Sequence, residues 1–137
     1  MALSVSTIGD NPQQPGITAQ AYVPDQLIAG ALQIVTDSVT ITGGPYKRGA
    51  VLGRITASGK YTLALSASSD GSQTPVAILA DDADGSAGDV VGGVYLMAEV
   101  NGAALILGAG ITLAAAKTAL RSVGIFVKTA VPASDPT

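Results

Sequence analysis

Four aspartates crowd one short stretch of this sequence, residues 70–85, which reads DGSQTPVAILADDADG. Closely spaced carboxylates could bind a divalent cation or act as an acid–base pair. An EF-hand calcium loop needs glycine at its sixth position and a bidentate glutamate at its twelfth. Counted from Asp82, those positions hold Ala87 and Gly93, so the register fails. We therefore predict a solvated loop at residues 81–89, with a weak calcium site as the alternative.

Other catalytic groups are scarce. The chain has no His and no Cys, which removes the commonest general base and the best nucleophile. Ser58 and Lys60 are near each other, but they lie in a Ser/Gly-rich stretch where turn formation explains both. The carboxylate pairs at residues 81–82 and at residues 84 and 89 lack aromatic neighbours to build a pocket, because the chain has one Phe and no Trp. The glycines of GAGITL (108–113) do not complete a dinucleotide fingerprint. The sequence thus predicts no enzyme, no metal and no cofactor.

The composition indicates a protein that assembles with other subunits. Only 12% of the residues are charged and the net charge is −3, so no basic patch for nucleic acid is expected. The chain has 17 Gly and still more Ala, so few large side chains are available for a core. Such a chain is expected to bury further surface against partners. The uncharged run at residues 100–116 contains Asn101 and three glycines, so no membrane helix is predicted.

Periodicity predicts a mainly β (β-rich α+β) domain, barrel- or sandwich-like, with one short C-terminal helix and a flexible N-terminal arm. The helix is predicted at residues 112–124, with Thr112 as its N-cap and Gly124 at its end. Turn chemistry is predicted at residues 43–49, and Asn101-Gly102 predicts a hairpin into a strand at 103–107. The remaining strands are predicted at residues 32–42, 50–56, 60–66, 75–80, 90–100 and 125–131.

The N-terminal residues 1–21 differ from the rest of the chain. They are rich in Ser, Thr, Gln, Pro and Gly, and Pro12 and Pro15 interrupt any strand. One interpretation is a disordered tail. The other is an arm that orders on a partner by strand addition, for which Leu3, Val5 and Ile8 supply apolar side chains.

Four blocks, in order, resemble the head decoration (capsid-stabilising) proteins of tailed phages, of the phage lambda type. The blocks are RGAVLGRITASGKY (48–61), DGSQTPVAILADD (70–82), VYLMAEVN (94–101) and LRSVGIFVK (120–128). The resemblance implies a homotrimer that binds the major capsid protein on the outer surface of the virion head. There it would occupy three-fold and quasi-three-fold sites of the expanded capsid and stabilise it against the pressure of packaged DNA.

The resemblance also implies a domain organisation and a binding segment. Residues 1–21 would be a flexible capsid-binding arm, residues 22–131 the β-rich decoration domain and residues 132–137 a tail. The candidate capsid-contacting residues are those of the arm and the first residue after it, namely Leu3, Val5, Ile8, Pro12, Pro15, Ile17 and Tyr22.

Two functions of other classes remain as alternatives. One is a small β-barrel module that binds a carbohydrate or a host-surface ligand, although sugar faces usually stack on aromatic rings and these are few. The other is an acid-dependent hydrolase or a metal-dependent enzyme, which the missing His and Cys disfavour.

Overall fold

The computed structural model describes residues 26–129, and these form a mainly β fold with one α-helix, as predicted. The six strands are β1 Val35–Tyr46, β2 Val51–Arg54, β3 Tyr61–Leu63, β4 Pro75–Leu79, β5 Ala83–Asn101 and β6 Ile125–Lys128. A 3₁₀ turn at Gly102–Ala104 follows β5, and α1 (Leu113–Val123) precedes β6. The predicted arm residues lie outside the described residues.

Five strands close into a barrel in the order β1-β3-β2-β4-β5, because β5 also pairs with β1. The β1–β3 pair is parallel, and the other pairs of the barrel are antiparallel. β6 extends the sheet as a parallel neighbour of β5. The barrel interior is filled by small and medium apolar side chains, namely Ile41, Ala50, Leu52, Ala77, Leu79 and Val94. A barrel of only five strands has a narrow interior, which small and medium side chains can fill. The chain can therefore form a barrel although it contains one Phe and no Trp.

β4 is covered on both faces, as its continuous apolar run predicted. Ala77 and Leu79 point into the barrel, whereas Ile78 belongs to a second cluster outside the barrel wall. That second cluster lies under α1, with Ala116 and Leu120 among its members. The cover on the outer face of β4 therefore comes from the same chain.

The predicted helix is confirmed, together with both of its ends. The Thr112 side chain accepts a hydrogen bond from the Ala115 amide at 3.2 Å, and this caps the first turn. Gly124 ends the helix with φ 98°, a left-handed conformation that glycine adopts without steric cost. Within residues 26–129, no helix has the length and apolar character required to cross a membrane.

The predicted loop at residues 81–89 is mostly strand instead. β5 begins at Ala83, and Tyr46 and Gly43 of β1 pair with Ala83 and Gly85. Between Gly85 and Val90 the register shifts, so that residues 86–89 bulge opposite the single residue Thr42. The bulge at residues 86–89 is exposed, which accounts for the polar residues of this segment. The residues on either side of the bulge are strand because they pair with the distant strand β1.

Three further predictions about local structure differ from the observed fold. Asn101-Gly102 makes no hairpin, because the Asn101 side chain accepts from the Ala103 amide at 3.1 Å and caps the 3₁₀ turn. The predicted strand at residues 103–107 is reduced to one bridge, in which Ile106 pairs with Ala50. The predicted turn at 43–49 is shorter, since β1 continues to Tyr46.

Candidate functional site

Two of the four aspartates in the 70–85 stretch, Asp70 and Asp84, accept hydrogen bonds within their own turns. Asp70 accepts from the amide and the hydroxyl of Ser72, at 3.0 and 2.6 Å. Asp84 accepts from Ser86 in the same way, at 3.0 and 2.5 Å. In both cases the serine hydroxyl and then its amide lower the pKa of the carboxyl. These two acids therefore form turns and remain ionised.

Asp82 and Asp89 anchor charged and polar groups from other parts of the barrel. Asp82 accepts from the Arg48 amide at 2.8 Å and from the Lys47 ammonium at 3.1 Å, and these contacts lower its pKa. Asp89 pairs with Lys60, which together with the Thr42 hydroxyl lowers its pKa. The carboxylates of Asp84 and Asp89 thus bond to separate partners. In the other suggested pair, Asp81 accepts from the Asp82 amide at 2.8 Å, while the Asp82 carboxylate bonds to Lys47 and Arg48. Among residues 26–129, no group of three His, Cys, Asp or Glu residues could hold a metal ion.

The Ser58–Lys60 pair is a turn contact, as its Ser/Gly-rich surroundings predicted. The Lys60 amide lies 3.4 Å from the Ser58 hydroxyl, while the Lys60 ammonium pairs with Asp89. The Lys60 ammonium thus contacts Asp89, and within residues 26–129 the Ser58 hydroxyl contacts only the backbone amide of Lys60.

A surface cavity of about 280 Å³ lies between Pro45–Lys47 of the β1 end and residues 82–84. Tyr46 is the one aromatic residue that lines it, and the Tyr46 hydroxyl is bonded to Thr62 at 2.9 Å. The Lys47 and Asp82 side chains at its rim pair with each other. The cavity therefore offers one ring and no unpaired buried group with which to orient a ligand.

Glu99 joins three segments at the end of β5. Its carboxylate accepts from the Leu32 amide at 3.1 Å and lies 3.0 Å from the Lys128 ammonium of β6. Leu32 belongs to the segment that links residues 26–29 to β1, so Glu99 holds both that segment and β6 to β5. The Lys128 contact and then the Leu32 amide lower the pKa of Glu99 below its ordinary value of 4.5.

Glu99→Gln is expected to make stability less dependent on pH. Because the folded state holds the pKa of Glu99 below its unfolded value, the carboxylate stabilises the fold above about pH 4.5. This contribution is lost as the pH falls through the folded pKa. Urea unfolding of the native chain and of Glu99→Gln should therefore show a gap at pH 7 that closes below pH 4.5. Lys128→Met removes the largest cause of the lowered pKa of Glu99, so its free energy of unfolding at pH 7 should lie between those of the native chain and of Glu99→Gln. A difference in unfolding free energy between the native chain and Glu99→Gln that does not change with pH would contradict the role given to the Glu99 carboxylate.

The two described ends of the chain leave the barrel at the same place. The Asn101 amide donates to the Leu27 carbonyl at 2.8 Å, and Asn101 pairs with Lys128 in the β5–β6 ladder. The described part of the chain therefore begins and ends at neighbouring points beside one end of β5. The predicted contact residues Leu3, Val5, Ile8, Pro12, Pro15, Ile17 and Tyr22 all lie outside the described residues, so the structure neither brings them together nor separates them.

Comparison with known proteins identifies the family. Residues 16–125 match the family model described as bacteriophage lambda head decoration protein D. No individual curated protein matches the chain significantly. The match covers well over half of the chain and includes the whole barrel, α1 and the beginning of β6. The chain belongs to the bacteriophage lambda head decoration protein D family and is a structural component of a phage capsid.

Proposed function

We propose that the protein forms a homotrimer that binds three-fold and quasi-three-fold sites on the outer surface of the expanded capsid. There it stabilises the head against the pressure of packaged DNA, and it performs no catalysis. The family match supports attachment to the capsid. The observation that carries the proposal further is the common exit of both chain ends beside Asn101.

This common exit gives each trimer one face from which three N-terminal segments emerge. In the proposal that face meets the capsid, and residues 1–21 of each subunit add as strands to the major capsid protein. Three weak attachments on one rigid trimer act together, because binding of the first raises the effective concentration of the others. The apolar side chains of Leu3, Val5 and Ile8 supply the packing contacts of each added strand.

Ordering the arm explains a preference for the expanded shell. Each residue that becomes ordered loses backbone entropy worth about 1–2 kcal/mol. The arm therefore binds only where the capsid offers an open strand edge that returns more than this loss. We expect attachment to expanded heads and little attachment to unexpanded ones, and equal binding to both would refute this part of the proposal.

The test combines sedimentation of the free protein with binding to purified heads. Deletion of residues 2–20 should leave the trimer intact in analytical ultracentrifugation and abolish binding to expanded heads. A full-length chain with Leu3, Val5 and Ile8 changed to Ser should behave like the deletion. The matched control, Ser4→Ala with Ser6→Ala, should bind as the native chain does.

One result of these experiments would contradict the proposed function. A native chain that is monomeric and indifferent to expanded heads would contradict the proposed function. It would favour the alternative, a small β-barrel module for a carbohydrate or host-surface ligand.

A further inference from the structure

β1 has an open edge along residues 35–40. One side of this stretch pairs with β5, from Val35 opposite Met97 to Thr40 opposite Val91. The other side meets β3 only beyond the stretch, where Ile41 pairs with Tyr61. No other strand within residues 26–129 pairs with this edge. Five of its six residues are exposed and the sixth is half-buried, so both faces of the strand are accessible.

The amides of this edge point outward. The Ser38 amide donates to the side chain of its own neighbour Asp37 at 2.8 Å, so it is directed away from β5. Because a strand repeats every two residues, the amides of Thr36 and Thr40 point to the same open side. Long open edges rich in Val and Thr are templates for pairing with another strand, and native proteins cover or interrupt them. The single charge of Asp37 is a weak interruption.

β6 provides a second open edge on the opposite side of the sheet. At Tyr95, β5 lies between β1 and β4. α1 packs against both β4 and β6, which places β6 on the β4 side of β5. In the described part of the chain, no strand pairs with the outer side of β6. Its Phe126 is 42% exposed although the flanking Ile125 and Val127 are buried.

The two edges are complementary in charge and in apolar character. Asp37 gives the β1 edge a negative charge, and β6 carries the ammonium of Lys128, which pairs with Glu99 on one side and leaves half of its side chain exposed to a second carboxylate. Each edge is flanked by exposed apolar side chains, Ile34 and Val35 at β1, and Val123 and Phe126 at β6. Two different patches on opposite sides of one subunit are what a head-to-tail ring requires, whereas a two-fold dimer uses one patch twice.

We infer that the β1 edge of one subunit docks on the β6 edge of the next copy of the chain, and that this contact closes the ring. This inference rests on the proposed homotrimer and identifies its interface. Backbone hydrogen bonds along the outward amides of β1 supply the contact, packing of Phe126 adds to it, and the Asp37–Lys128 attraction sets its register.

Disulfide trapping tests the contact directly, because the chain has no cysteine of its own. A variant with Thr36→Cys and Phe126→Cys should, on oxidation, give covalent species of up to three chains on a non-reducing gel. The control pair, Gly88→Cys with Phe126→Cys, should remain a single chain, since Gly88 lies in the exposed bulge opposite Thr42, beyond the end of the β1 edge. The trapping is done on the free protein and on protein bound to expanded heads.

Two substitutions test the energetics of the contact. Thr36→Pro removes one outward amide without removing a hydrogen bond to β5, so the subunit should stay folded in thermal unfolding while the trimer dissociates. Asp37→Lys should raise the dissociation constant of the trimer by about tenfold at low salt and by less at high salt, because like charges then face each other. Asp37→Asn should have the smaller effect.

The outcomes separate this inference from the function on which it rests. A native trimer that survives Thr36→Pro and gives no trapped species would overturn the interface and leave the proposed function standing. A chain that never trimerises, in solution or on heads, would overturn the function itself. A third possibility is that residues 2–20 of the same chain occupy the β1 edge. In that case the cysteine pair will form the trapped species only in the variant that lacks residues 2–20. The interface assigned to the native chain would then be wrong.

Discussion

Gly53→Ala is expected to destabilise the protein by at least about 3 kcal/mol, near the upper end of the usual cost of overpacking. Gly53 is buried in the middle of β2, between Thr62 of β3 and Pro75 of β4. A Cβ atom placed there would lie 1.9 Å from the backbone carbonyl oxygen of Ser72. Relief therefore requires moving the backbone, since no side chain can rotate away.

The turn that crosses Gly53 is itself fixed, which is why the expected effect is large. Ser72 is buried and donates to Asp70, and the Asp70 carbonyl accepts from the Thr56 amide at 2.9 Å. Displacing this turn would break those bonds as well as the packing over β2. The Gly53→Ala effect thus includes the loss of several contacts and exceeds that of an added methyl group alone.

Gly88→Ala is the matched control. Gly88 lies in the bulge of β5, and a Cβ atom there would have nothing within 4 Å. Urea unfolding should place this variant within about 0.5 kcal/mol of the native chain. Equal stability of the two alanine variants would contradict the close approach of Ser72 to β2.

The sequence was most informative where local chemistry decides the structure. The helix was predictable because Thr112 and Gly124 mark its two ends by their own side-chain and backbone preferences. β4 was predictable because a continuous apolar run between two turns fits a strand covered on both faces. Turn formation by Asp70 was also readable, since an Asp-Gly pair bonds within its own turn.

The errors concern segments whose structure depends on distant partners. Residues 83–85 are strand because β1 pairs with them across about forty residues of chain, and their polar composition gave no sign of this. Asn101-Gly102 fitted a hairpin locally, but the apolar residues that follow it had a better partner in Ala50. A glycine inside a strand can mark a place where another backbone approaches closely, and Gly53 is such a glycine. The sequence did not indicate that the approaching backbone belongs to Ser72.

The candidate site was only partly accessible from sequence for a related reason. The arm residues were chosen from composition and position, and they lie outside the described residues. Glu99 and Arg48 were missed as organising residues because their partners are 67 and 47 positions away. The available signal was a lone acid in the apolar strand VYLMAEV, since a charge at such a place needs a partner.

Arg48→Ala is expected to lower the free energy of unfolding by about 2–4 kcal/mol, because it leaves two acceptors at the barrel wall without their donor. The Arg48 guanidinium donates to the Ala80 carbonyl and, at 2.7 Å, to the hydroxyl of Tyr95, which is 9% exposed. It also lies 5.4 Å from the centre of the Tyr95 ring, within the range of a cation–π contact. Arg48 thus joins the β1–β2 turn to the end of β4 and to β5.

Two further measurements distinguish the hydrogen bonds of Arg48 from its charge: the variant Arg48→Lys and a double-mutant cycle with Tyr95. Lysine keeps the charge but lacks the planar fork, so Arg48→Lys should recover less than half of the loss. Tyr95→Phe alone removes one acceptor and leaves the Ala80 bond in place. If the pair interacts as described, the cycle of Arg48→Ala with Tyr95→Phe should give a coupling energy of about 1–2 kcal/mol in urea unfolding. Additive effects would mean that the Tyr95 hydroxyl contributes nothing to the contact and that Arg48 acts through the Ala80 carbonyl and the ring of Tyr95. The result also matters for assembly. Ala80 leads from β4 to β5, and β5 separates the two open edges. A loosened barrel wall at this point would therefore weaken the contact between subunits as well as the subunit itself.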